Sequence, residues 1–267
     1  MSLIYKPGGA ALEYARWAVN LVVGCVHGCT YCYVPGIFRK PRGEFKAEAR
    51  IKGNGDVDQL LKQLDKEAAA LAVRGERRPI LLSFTTDPYQ PLEGEAQVTR
   101  RALEIFKTHG LTAAILTKAG VLVERDFDLI EAGGHILGAT LTGRRASEDG
   151  WEPEAAHHHC RIATLAWAKK RGIRTWASIE PVIYHLDSLE AIRDAASHVD
   201  HFAIGKMNHF NPPQPINWRA FRKDAEGLLK SLGYRRVGME EAWHKTKGTY
   251  YLKHDLLEAA GAGGCDA

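Results

Sequence analysis

The stretch "NLVVGCVHGCTYCYVPG", residues 20–36, decides how the rest of the chain is read. A short apolar run meets Gly24, and cysteines follow at 25, 29 and 32, a C-x3-C-x2-C spacing. Thiolates are soft donors suited to iron–sulfur clusters, zinc or copper. A structural zinc site is normally closed by a fourth protein ligand. His27 lies inside the loop, but too close to Cys25 and Cys29 in sequence to close a tetrahedron easily. Cys160 and Cys265 are far along the chain, though the fold can bring either back. The alternative is a 4Fe–4S cluster with three irons on cysteine. Such clusters ordinarily take four thiolates, so the fourth iron would be open to an outside chelator.

Outward from this loop, apolar runs alternate with helical stretches. Residues 18–24, 80–84, 111–116, 135–141, 173–179 and 201–205 read as strands. Residues 56–74, 95–109, 123–132, 153–171 and 187–197 read as the helices between them, with another over 218–232. Continuous apolar strands alternating with helices indicate a parallel sheet covered on both faces. Asp56 stands where it can cap a helix, and Pro153 where a first helical turn begins. Gly110 and Gly172 stand where helices end and strands begin. Six such units make either an open doubly wound sheet or an incomplete barrel. Periodicity does not separate these, but in both, ligands bind at the carboxyl ends of the strands. Residues 206–216 read as a proline-rich loop, 249–260 as a short tail segment, and the closing GAGGCDA as flexible.

With 267 residues, 45% of them hydrophobic, the chain can form one large domain. A net charge of +4 permits a phosphate-bearing substrate without requiring one. Five cysteines, an odd number in a long chain, argue against a disulfide framework and fit a reducing compartment. Residues 1–20 carry Lys6, Glu13 and Arg16 and no signal-peptide core. No apolar run approaches the roughly 20 residues that span a bilayer. A cytoplasmic protein without membrane attachment is expected.

The cysteine spacing, with the aromatic Tyr31 just before the third cysteine, resembles the radical SAM superfamily. The segments "SFTTDPYQPLE" (83–93), "ILTKAG" (115–120), "GATLTG" (138–143), "SIEPVI" (178–183) and "IGKMNH" (204–209) follow at successive strand ends. With the cysteine loop they are similar to the spore photoproduct lyase-like branch, over about residues 18–210. The resemblance implies an α/β fold, an incomplete (β/α)6 TIM-like barrel. It implies a single radical SAM domain over 1–267, with its core at about 18–210 and a C-terminal extension at 211–267. It also implies a 4Fe–4S cluster on Cys25, Cys29 and Cys32, with S-adenosylmethionine chelating the open iron. An electron, from a donor such as flavodoxin or ferredoxin, then breaks the sulfonium bond and releases a 5′-deoxyadenosyl radical. Tyr31 would stand beside the cofactors, Thr86 and Asp87 at the cofactor's amino group, and Lys118 at its carboxylate. Thr140 and Glu180 would touch ribose or substrate. Tyr33 would relay a hydrogen atom, and DNA or a modified nucleobase would be the substrate. The same residues have plainer readings. Asp87 before Pro88 starts a turn, Lys118 is a solvated charge, Glu180 caps a loop, and Tyr33 packs on the cluster.

The resemblance breaks at one position. The lyases carry a hydrogen-donating cysteine at the end of the second strand, where this chain has Phe84. The last 50 or so residues also match no DNA-binding element of the lyases. Lesion repair therefore competes with modification or isomerisation of a base. Cys160 and Cys265 remain as possible hydrogen donors in place of the missing thiol, with plainer readings as a packing residue and as part of the tail, and His157, His158 and His159 read as surface residues near a helix start. Trp151, Trp176, His209 and Phe210 fall near strand ends or loops, where they could stack a base. The rival from another class is a nucleic-acid-binding protein with a purely structural metal or cluster.

Overall fold

Each apolar run becomes a strand. The computed structural model describes residues 2–238, 241 and 247–261. Its strands are β1 (Ile4–Tyr5), β2 (Trp17–Val19), β3 (Val22–Val23), β4 (Arg50–Ile51), β5 (Ile80–Leu82), β6 (Ala113–Thr117), β7 (Ile136–Thr140), β8 (Arg174–Val182), β9 (His201–Lys206), β10 (Arg235–Arg236) and β11 (Thr249–Leu252). One sheet runs β1-β2-β5-β6-β7-β8-β9-β11-β10, and β3 pairs with β4 separately. Every pairing in the large sheet is parallel except β1 with β2 at one edge. All six expected strands are present.

Four elements differ from the sequence expectation, each for a local reason. The run 18–24 splits in two. Asn20 Oδ1 accepts the amides of Phe84 at 2.8 Å and Thr85 at 3.0 Å, tying the end of β2 to the loop after β5. Val22–Val23 then leaves the sheet to pair with β4. The stretch 95–109 is two helices, Leu92–Ala96 and Val98–Thr108, broken at Gln97, whose φ is +47°. The helix expected from Pro153 starts at His158, because Glu152 is drawn into a buried ion pair. The segment 249–260, expected as a short tail segment with no assigned element, is part of the sheet and its cover. It supplies β11, between β9 and β10, and the helix His254–Ala259.

The helix Val57–Val73 buries Leu60, Leu61, Leu64, Ala68 and Leu71 along one stripe. Asp56 Oδ1 accepts the Gln59 amide at 2.9 Å, the expected cap. Gly110 and Gly172 follow helices with φ of +65° and +79°, left-handed positions that favour glycine.

The opposite face of the sheet holds a second, smaller core. Ala18, Leu81, Ala114, Ile136, Trp176 and Ala203, one from each of β2, β5, β6, β7, β8 and β9, pack there with Tyr14. Side chains from both ends of this strand series meet only if the sheet curves toward a barrel. Trp176, 1% exposed, is the main filler. It lies across β7 at Gly138, where a Cβ would stand 2.1 Å from the indole nitrogen. The indole donates to Ile115 O at 3.0 Å. Trp176 is thus a core residue, not the base-stacking residue that sequence position suggested.

Among the described residues no strand pairing closes this barrel; side chains bridge the open side. Glu13 Oε2 accepts Tyr251 Oη at 2.9 Å and the His254 amide at 2.7 Å. Tyr14 meets Ser178 Oγ at 2.7 Å and also Glu180. Strand periodicity sets Trp176, Ser178 and Glu180 on one face, so the core filler leads directly into the polar groups at the strand end.

Candidate active site

A cavity of about 820 Å³ opens at the carboxyl ends of the parallel strands. Cys25, Cys29 and Cys32 all line it as free thiols, Cys29 buried and the other two half-buried. Their loop is fixed from several sides. Gly24 has φ +78°, and a Cβ there would meet Ala49 N at 2.7 Å. Gln90 accepts the Val26 amide on Oε1 at 3.1 Å and donates through Nε2 to Thr86 Oγ1 at 2.8 Å. Thr86 Oγ1 donates to Gly24 O at 2.6 Å. On the far side, Thr30 N donates to Trp151 O at 3.0 Å and Arg42 Nη1 to Cys29 O at 3.1 Å.

Burial pushes the Cys25 thiol up to about 12, helped by the Asp87 charge. Burial likewise pushes Cys29 up to about 11, against the pull of Lys118. These are thiols that a bound metal must deprotonate. Among the described residues, no three His, Cys, Asp or Glu side chains converge as ligands of one ion. Thiols sharing an ion must converge, whereas each thiolate of a cubane binds a different iron. Three thiols on one loop facing one cavity are soft donors of the kind that an iron–sulfur cluster takes.

Beneath the loop lies an ion pair that the sequence did not reveal. Arg161 Nη2 and Glu152 Oε2 are 2.6 Å apart with both side chains almost fully buried. Glu152 also accepts Thr142 Oγ1 at 3.0 Å and the Tyr31 hydroxyl. Arg161 donates further to Ala156 O at 2.7 Å and Thr140 O at 2.9 Å. Tyr31, in the cavity wall beside Cys32, is thus anchored through a charge to the loop after β7.

The other expected site residues also reach the cavity wall, but several are already engaged. Asp87 accepts Tyr89 N at 2.9 Å, Thr117 Oγ1 at 2.6 Å and Lys118 N at 2.7 Å, with His27 Nδ1 at 3.5 Å. Its carboxylate stitches the end of β5 to the end of β6, and Thr86 is likewise occupied by the cysteine loop. Lys118 Nζ lies 5.7 Å from the Tyr31 ring centre. Burial opposes its charge, but Cys29, Glu152 and Asp87 outweigh that and raise its pKa. Thr140, buried, completes this end.

At the other end, Glu180 holds Lys253 Nζ at 2.7 and 2.9 Å and accepts the Tyr14 hydroxyl. Lys253 and Tyr14 both line the cavity, and neither was legible as a site residue. Tyr33 stands at the mouth, 41% exposed, its hydroxyl 3.4 Å from Phe84 O and its ring 5.9 Å from that of His209. The Arg42 guanidinium lies 4.9 Å from the Phe210 ring centre. His209 and Phe210 therefore do sit at the cavity, while Trp151 is half-buried against the cysteine loop. His158 is buried, not on the surface, because its helix packs that face inward. Cys160 lies on the same helix and outside the cavity wall, and Cys265 lies outside the described residues.

No family model matches the chain. An uncharacterized protein of Acidianus two-tailed virus is 27% identical over 279 residues, covering 92% of this chain and 87% of that protein. An uncharacterized protein of Mycobacterium tuberculosis is 27% identical over 206 residues, covering 73% of this chain and 55% of its own length. The chain thus spans about half the length of that relative. Among solved structures, spore photoproduct lyase complexed with dinucleoside spore photoproduct superposes with a TM-score of 0.65 at 14% identity, over 92% of this chain and 78% of the lyase. SuiB of Streptococcus suis bound to S-adenosylmethionine gives 0.59 at 10% identity, over 91% of this chain and 51% of SuiB. The fold expected from the sequence, a largely parallel α/β sheet of the spore photoproduct lyase type, is the fold found. Among the described residues, no helix is long and apolar enough to cross a membrane.

Proposed function

We propose that the chain is a radical SAM enzyme acting on a DNA- or nucleobase-linked substrate. One observation carries the reading: Cys25, Cys29 and Cys32 open onto the same cavity as Lys118, Thr140 and Glu180, at the strand ends where such folds bind ligands. Spore photoproduct lyase and SuiB, with which the chain shares its fold, support it. Bound here, a 4Fe–4S cluster and S-adenosylmethionine supply a 5′-deoxyadenosyl radical.

This chain's own residues bind and orient. The three cysteines hold the cluster, and Gln90 and Thr86 fix their loop. Lys118, kept charged by its neighbours, meets the cofactor carboxylate, and Asp87 sets the backbone beneath it. Tyr31, Phe84 and Leu116 give the cavity apolar walls that exclude water. At the mouth, Tyr33, His209 and Phe210 offer flat surfaces, and Arg42 and Lys206 offer charge. Aromatic faces beside cations suit a base and its phosphate. Phe84 places no thiol where a lyase has one, which favours modification or isomerisation of a base over thiol-dependent lesion repair. A low-potential one-electron donor of the flavodoxin or ferredoxin class completes the system.

The test is anaerobic reconstitution. The loaded protein should carry a 4Fe–4S EPR signal that changes on adding S-adenosylmethionine and should form 5′-deoxyadenosine under dithionite. Cys25→Ala, Cys29→Ala and Cys32→Ala should each abolish both. A colourless zinc protein forming no 5′-deoxyadenosine would overturn the reading.

A further inference from the structure

A second cluster of titratable groups faces the same cavity, away from the cysteines. Tyr14 is buried with its ring between Phe84, 6.2 Å away, and Trp176, 5.9 Å away. Its hydroxyl meets Ser178 Oγ at 2.7 Å and donates to Glu180. Lys253 Nζ lies 2.7 Å from Glu180 and 4.7 Å from the Tyr14 ring centre. The chain leaves room for this pair: a Cβ on Gly205 would stand 2.8 Å from the Glu180 carboxyl carbon and 2.9 Å from Lys253 Cδ.

Radical chemistry in the cavity gives these groups a use. A carbon radical is quenched by the weakest accessible X–H bond. On the radical reading the cavity thiols hold the cluster, and the Tyr31 hydroxyl donates to Glu152. Aliphatic hydroxyls such as Ser178 have much stronger O–H bonds than phenols. Tyr33 bonds a backbone carbonyl, Phe84 O, which carries no proton to return. Tyr31 and Tyr14 each meet a carboxylate, but Glu152 is held by the Arg161 guanidinium, which gives up no proton, whereas Glu180 is held by the Lys253 ammonium at 2.7 Å.

Resting on the radical reading above, we infer that Tyr14 is the hydrogen-atom donor of this cavity and that Glu180, held by Lys253, returns its proton. The Tyr14 O–H bond breaks homolytically, a C–H bond forms on the carbon radical, and a neutral phenoxyl radical remains. One electron from the same flavodoxin- or ferredoxin-class donor and one proton through Glu180 restore the phenol. Burial raises the proton affinity of both Tyr14 and Glu180, which suits groups that hold a proton between transfers.

Two measurements test this. The first incubates reconstituted protein with S-adenosylmethionine and dithionite in D2O, with no added substrate, and weighs the 5′-deoxyadenosine formed. A phenolic donor exchanges with solvent, so wild type should place one deuterium in the product, and Tyr14→Phe should place none. Unlabelled product from wild type, or labelled product from Tyr14→Phe, overturns the assignment. No 5′-deoxyadenosine from wild type overturns the radical reading and the inference with it. The second uses unloaded protein carrying 3-fluorotyrosine and needs no Tyr14 variant. One of the nine tyrosine resonances should shift in both Glu180→Gln and Lys253→Met. If none shifts in both, the proton path is overturned whatever the cluster does.

Discussion

Glu152 is buried behind the Tyr31 wall of the cavity and Glu180 stands half-buried in the wall near Tyr14, and their surroundings push the two carboxylates in opposite directions. Burial is the largest influence on both and disfavours their charge. At Glu152 it is overcome by Arg161 and Lys118, aided by hydrogen bonds from Arg161 and Tyr31, which hold the carboxyl down at about 2. At Glu180 it wins against Lys253 and Tyr14, and the carboxyl sits above its usual range. The cysteine-loop end is a fixed scaffold with its charges locked in. The Tyr14 end keeps a group that can gain or lose a proton at small cost.

The largest expected effect comes from breaking the scaffold. Arg161→Met leaves Glu152 charged and unpaired in the interior and should cost about 3–5 kcal/mol in urea denaturation. The acid limb sharpens the point. Glu152 has a depressed folded pKa, so its contribution is present above the unfolded value near 4.5 and lost as pH falls toward 2. That contribution is on the order of 3 kcal/mol. Glu152→Gln should therefore lose less stability than wild type between those pH values. Equal acid losses in the two proteins would break the contrast between the ends.

These two ends also differ in how far sequence could reach them. The six strands were legible because apolar runs and glycine-ended helices are local signals. The cysteine loop was legible because its three donors lie within eight residues. Asp87 and Thr86 were legible as site residues, but not as the ties that hold β5 to β6 and to the cysteine loop, because those partners are set by tertiary structure. Gln90 lay inside a motif already singled out, and its role needed the positions of Gly24 and Val26. Lys253 and Tyr14 could not be found: they stand 73 and 166 positions from Glu180 and meet it only because the sheet curves. Curvature also explains Trp176. A tryptophan near a strand end reads as pocket lining unless Gly138 on the neighbouring strand is known to make room for it.

Lys253→Met should be milder than Arg161→Met although its side chain is equally hidden. Glu180 escapes by taking a proton, as isolated buried carboxylates do, so the expected loss is roughly 1–3 kcal/mol near neutral pH. The sign of its pH dependence is opposite to that of Glu152. A raised folded pKa gives stability that is full below the unfolded value and lost as pH rises through the folded value. Without Lys253 that folded value climbs further, so the variant should lose stability with rising pH more steeply than wild type. A flat profile from pH 5 to 8 would mean that Glu180 stays ionised without its partner, and that this end is as rigid as the other.

Gln90→Leu should have the smallest global effect, about 1 kcal/mol, because it removes hydrogen bonds at a loop and leaves both ion pairs intact. Its effect should be local instead. The Val26 amide, which bonds Gln90 Oε1 at 3.1 Å, should exchange with solvent much faster in the variant, while core amides of β6 and β7 change little. Lys253→Met should leave Val26 exchange as it is in wild type, since among the described residues the side chains of Lys253 and Glu180 bond each other and Tyr14, not the cysteine loop. If Lys253→Met speeds Val26 as much as Gln90→Leu does, the ends open together. The cavity would then be one cooperative unit, and the separation between a fixed cysteine scaffold and a proton-adaptable wall would be lost.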